Sequence, residues 1–102
     1  MAMRLIAWNT LKAYGEQHHR AAVSLARLRV LIEAAAWATT DEVLAAASKA
    51  KVCGPSRVRF EVDGGNFRLI IAFNFARQIA FVKFVGTHAE YDRVDAATVN
   101  LF

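Results

Sequence analysis

The sequence predicts a single α+β domain over residues 1–102. An N-terminal strand and two or three helices pack on a three-stranded antiparallel C-terminal sheet, and a short helix closes the domain. Three observations predict it. Apolar residues recur at helical spacing over about residues 20–37. A glycine pair, Gly64-Gly65, joins two runs in which apolar and polar residues alternate. Thr87 and Glu90 stand at capping-box spacing directly after the last strand-like run.

Taken in order, residues 3–7 read as a first strand. Asn9 or Thr10 is placed to cap a short helix through Leu11, Lys12 and Tyr14, which Gly15 weakens or ends. In the next helix Leu25, Leu28, Ile32 and Ala35 share one face, Arg20, Arg27 and Glu33 point elsewhere, and Trp37 closes it. Thr39 and Glu42 form a capping pair before an Ala-rich turn at residues 43–47, and Gly54-Pro55 ends the connection.

The sheet register can be worked out. A two-residue loop at Gly64-Gly65 pairs Val62 with Phe67, Phe60 with Leu69 and Val58 with Ile71 on one apolar face. The other face then receives Glu61 opposite Arg68, Arg59 opposite Ile70 and Arg57 opposite Ala72. An even-length loop around Ala76-Arg77 pairs Phe73 with Ala80, Ile71 with Val82 and Leu69 with Phe84. It sets Lys83 opposite Ile70 and out of the core, where an unpaired charge is costly.

The expected result is a sheet with one face on the helices and one carrying Arg57, Arg59, Arg68 and Lys83, with Ile70 and Phe81 among them. The net charge of +4 is concentrated accordingly. Residues 43–89 carry Lys49, Lys51, Arg57, Arg59, Arg68, Arg77 and Lys83 against Glu61 and Asp63, whereas residues 90–102 are acidic. An ordinary wet sheet face usually mixes signs. Cations interleaved with an aromatic suit a nucleic-acid backbone and its bases. The apolar runs are too short to cross a membrane and no leader is evident, so the expectation is a cytoplasmic protein without membrane contact. Cys53 is alone and expected to be a small buried or half-buried hydrophobe.

The segment "RVRFEVDGGNFRLIIAFNFARQIAFVKFVGTHAEYDRVDA", residues 57–96, resembles the C-terminal half of HigB-type toxins of the RelE/ParE superfamily. The run "FVGTHAEYDRVDA", residues 84–96, is especially close, while the first half agrees more loosely. The resemblance implies a RelE-like fold and the toxin of a type II toxin–antitoxin system. It also implies an endoribonuclease, an mRNA interferase acting on mRNA in association with the ribosome. The implied partner is a HigA-like helix-turn-helix antitoxin.

Metal-free RNA cleavage turns the ribose 2′-hydroxyl on its own phosphate, so charge must be stabilised and protons moved. Arg68 and Lys83 are assigned to the scissile phosphate, with Arg57, Arg59, Lys49 and Lys51 as RNA-binding cations. His88 is the acid/base candidate, and Tyr91, three residues on, could stack on a base or bond a phosphate. Each has a plain alternative: His88 as a first-turn surface residue and Tyr91 as a packing residue. Glu90 is read as a helix cap or, alternatively, as a base or an orienter of His88. His18 and His19 lack metal-ligand spacing, so neither a metal nor a cofactor is expected, and His18 is read as a helix-end residue. Two other functions remain open at this point: a non-catalytic RNA- or ribosome-binding regulator, and a gyrase-directed toxin.

Overall fold

The computed structural model describes residues 2–102. Its elements are β1 (Arg4–Ile6), α1 (Trp8–Gln17), α2 (His19–Ala34), α3 (Thr40–Ala46), β2 (Lys51–Gly54), β3 (Arg57–Val62), β4 (Phe67–Asn74), β5 (Ile79–Thr87) and α4 (His88–Tyr91). The sheet has five strands in the order β1-β5-β4-β3-β2. The expected three-stranded sheet is therefore its centre. β2 adds one edge antiparallel to β3, and β1 adds the other edge parallel to β5.

The β3–β4 register follows the turn as read, from Val62 opposite Phe67 to Arg57 opposite Ala72. The loop itself is longer than two residues, running over 63–66. Asp63, Gly64 and Gly65 all take positive φ, and Gly65 N–H donates to Val62 O at 3.2 Å. Glycine adopts that backbone region without a steric penalty, which is why the pair sits there.

Between β4 and β5 the sequence register holds at Phe73–Ala80 and Ile71–Val82 and then slips. A bulge lies between Ile70 and Ile71, so Leu69 faces Val85 and Ile70 faces Phe84. Lys83 is the extra residue and has no partner across the strand, contrary to its expected place opposite Ile70. Beyond the bulge every side chain of β5 changes face. Val85 enters the core and Phe84 leaves it.

The helices cover one face of the sheet. Leu11, Leu25, Ile32 and Val43 pack there against Phe60, Leu69, Ile71 and Val82. α2 is shorter than the periodicity predicted. It ends at Ala34, and Trp37 follows in extended chain, buried with its ring edge-on to Phe73 at 6.0 Å. α1 starts at Trp8, ahead of the expected caps, and runs through Gly15. The Ala-rich segment forms the helix α3, whose cap Thr39 accepts from Glu42 N–H at 3.3 Å.

Candidate nucleic-acid interface

The opposite sheet face carries the predicted cations, but it is not wet. Ile70 is 0% exposed and Phe84 is buried beside it, although neither belongs to the helix-side core. Arg59 and Arg68 are 9% and 8% exposed. Strand alternation places these arginines on an exposed cationic face, and the structure buries them. The bulge brings Phe84 onto this face, and Tyr91 of α4 lies against Arg68 and Phe84.

Each cation is held differently. Arg68, opposite Gly86, donates through Nη1 to Gly65 O, and its guanidinium lies 5.9 Å from the centre of the Tyr91 ring. Arg59 donates through Nη2 to Lys49 O at 3.1 Å and pairs with Glu61 Oε2 at 3.3 Å. The Nε of both arginines is buried without a partner. A buried unpaired donor is costly, and more so on a charged group. Arg57 donates through Nη1 to Ala96 O at 3.1 Å and Val99 O at 2.7 Å. Lys83 Nζ donates to Asn100 Oδ1 at 3.3 Å and lies 5.5 Å from the Phe81 ring centre. Lys49 and Lys51 are exposed at the β2 edge, with Lys51 opposite Arg59.

α4 stands at the end of this face because β5 runs straight into it. Thr87 is its cap: the hydroxyl accepts from Glu90 N–H at 3.1 Å, and the Glu90 carboxylate accepts from Thr87 N–H at 2.7 Å. That backbone bond, chiefly, holds the Glu90 carboxyl below the usual range, and His18 nearby adds to the effect. His88 is anchored through its backbone N–H to Asn66 O at 3.0 Å, while its exposed ring pairs through Nε2 with Asp92 Oδ2 at 3.5 Å. Tyr91 turns the other way, towards Arg68 and, edge-on at 6.2 Å, Phe84. Of the residues singled out in the sequence, Arg68 and Tyr91 thus meet. Lys83 and Arg57 are engaged by the chain beyond α4, and His88 by Asp92.

One grouping escaped the sequence reading. Tyr14 and His18 stack at 4.1 Å with an interplanar angle of 7°, and Phe67 meets both rings edge-on. His18 Nδ1 also lies 3.3 Å from Tyr14 O, which fits its expected helix-end role. Burial raises the Tyr14 hydroxyl above its ordinary value, and Glu90 adds to the rise, so the cluster borders α4. The i, i+4 spacing of Tyr14 and His18 was the available signal. Among the described residues no group of three His, Cys, Asp or Glu could hold a metal, and no helix is long and apolar enough to cross a membrane. Burial pushes the half-buried Cys53 thiol up, against the pull of Arg57 and Arg59, which is the reverse of an activated thiolate.

The HigB_toxin family, the RelE-like toxic component of a toxin–antitoxin system, matches residues 21–94. The chain belongs to this family. The match spans α2 to α4, including the whole cationic face and its capping box. It makes the protein a toxin component with an antitoxin as its partner. No curated protein matches the sequence.

Proposed function

We propose that this HigB-family toxin is an endoribonuclease that cleaves mRNA, presented on the ribosome, without a metal ion. A small HigA-like helix-turn-helix protein neutralises it. The observation that carries the reading is the Arg68–Tyr91 pair, a buried guanidinium with an unpartnered Nε beside an aromatic ring at the rim of a cationic face. Guanidinium donors bind phosphate oxygens in pairs, and an aromatic ring next to them stacks a base.

In the proposed reaction the ribose 2′-oxygen attacks the adjacent phosphorus and its proton passes to solvent. Arg68 stabilises the charge on the phosphorane, with Lys83 contributing once it leaves Asn100. The bond from phosphorus to the 5′-oxygen breaks, and that oxygen takes a proton from His88, whose ring must first leave Asp92 and turn towards Arg68. The products are a 2′,3′-cyclic phosphate and a 5′-hydroxyl. Histidine suits the acid because it exchanges protons near neutral pH. Glu90 is left out because its carboxylate is committed to the Thr87 N–H. Arg57, Arg59, Lys49 and Lys51 bind flanking phosphates.

Arg68→Ala should relieve growth arrest on expression and lower cleavage about 100-fold or more, as loss of a transition-state donor does. Tyr91→Ala and His88→Ala should lower it less. Primer extension on cellular mRNA reads new 5′ ends directly. Full toxicity of a folded Arg68→Ala variant sinks the assignment. RNA binding without new ends would make the protein a non-catalytic regulator, and an SOS response without RNA cleavage would point to gyrase.

A further inference from the structure

The proposed phosphate surface is already occupied by the chain itself. Arg57 holds the carbonyls of Ala96 and Val99. Leu101 N–H donates to Lys83 O at 2.9 Å, using a backbone group at the bulge, and Asn100 takes the Lys83 ammonium. Ala97 lies against the sheet edge, close enough that a Cβ on Gly54 would come within 3.2 Å of its Cα. Residues 95–102 therefore cross the sheet from the β2–β3 edge to β5.

This segment is shaped locally and attached weakly. Asp95 organises it: its carbonyl accepts from the N–H groups of Thr98 and Val99, and its carboxylate from Ala97 N–H. No side chain of residues 92–102 is buried, and Leu101 and Phe102 are 58% and 51% exposed. Val94, Ala96 and Val99 are half-buried, so apolar burial holds the segment only in part. The contacts that remain are hydrogen bonds that water or another acceptor can replace. Within residues 95–102 the one charged side chain is Asp95, so the segment has the same sign of charge as RNA.

We infer that residues 95–102 form a displaceable strap whose carbonyls stand in for phosphate oxygens, so that RNA must lift it to reach Arg57 and Lys83. The inference rests on the RNA reading above. A phosphate oxygen is the stronger partner for a guanidinium than a carbonyl, because the bond is charge-assisted on both sides. Exchange of one for the other is therefore favourable once RNA arrives. In its absence the strap keeps the cations paired.

The test is the affinity of a fluorescein-labelled oligoribonucleotide, read by anisotropy, for the full chain and for a chain lacking residues 95–102. A strap closed about nine-tenths of the time raises the apparent Kd about tenfold, so deletion should tighten binding by that order. Leu101→Pro removes one strap hydrogen bond while keeping the full chain, and should tighten binding in the same direction. It serves as the deciding variant if the deleted chain does not fold. Arg57→Gln should weaken binding more in the strapless chain than in the full chain, because only there is Arg57 free beforehand. Unchanged or weaker binding by the folded variants overturns the strap while leaving the RNA reading intact. Failure of every folded variant, wild type included, to bind the oligonucleotide overturns the RNA reading and the strap with it.

Discussion

The two faces of the sheet exclude water by different means. The helix side does so with hydrocarbon: Phe60, Leu69 and Ile71 pack under Leu11, Leu25 and Ile32. The far side does so with arginine stems, Phe84 and Tyr91, while a crossing strand of backbone takes up Arg57 and Lys83. Long cationic side chains cover apolar surface with their stems while their heads seek acceptors. The first face therefore serves stability. The second keeps Ile70 dry while holding two buried guanidinium groups with an unpartnered Nε. A surface can be sealed and still be chemically unsatisfied, and that combination fits a place where a ligand is to come.

The comparison can be pressed by mutation. Phe60→Ala on the helix side should cost the most, about 3–5 kcal/mol in urea unfolding, as a fully buried aromatic does. Ile70→Ala on the far side should cost about 2–5 kcal/mol, nearly as much, because Ile70 is equally inaccessible. A loss within about 0.5 kcal/mol, as on an ordinary surface, would mean that the far face is wet after all.

Gly86→Ala probes the junction of the far face with α4. An added Cβ would lie 2.7 Å from Phe84 Cζ and 3.0 Å from Glu90 Oε1. The Phe84 ring is hemmed in, so the expected destabilisation is about 1–3 kcal/mol. Thr87→Ala, which removes the cap alone, should cost about 1 kcal/mol.

The smallest effect is one of pH. Glu90 has its folded pKa depressed, chiefly by the Thr87 N–H. Its contribution is therefore complete above the unfolded value of about 4.3 and is lost as pH falls through the lower folded value. Melting curves taken through that acid window should show a slightly shallower decline for Glu90→Gln than for wild type. An identical decline would mean that the capping bond does not respond to ionisation.

What the sequence made legible followed from local chemistry. The glycine turn dictated all of the β3–β4 register, and the Thr87–Glu90 spacing dictated the cap. The bulge was hidden because nothing marks it: Lys83 is an ordinary polar residue in an alternating run. Lys83 stays out of the core as alternation predicts, but through an inserted residue rather than by pairing across the strand. β2, with only Lys51–Gly54 and a proline next to it, read as a connection. Its pairing exists because β3 offers an edge. The cations were found, but their partners were not: Arg59 and Arg68 are buried against Lys49, Glu61, Gly65 and Tyr91, and Arg57 and Lys83 are held by residues returning from beyond α4. The same return explains why Lys83, grouped with Arg68 on paper, is held by Asn100.

The place of β1 has a consequence for how the molecule comes into being. Its three residues pair only with β5, Arg4 with Ile79 through Ile6 with Phe81. During synthesis β1 therefore waits, without its strand partner, until β5 has left the ribosome. Contacts so distant in sequence form late, because the loop must be closed before they can repay its entropy. The strand that completes the sheet is also the one that leads into α4. The fold thus finishes and its candidate site is assembled in the same late step.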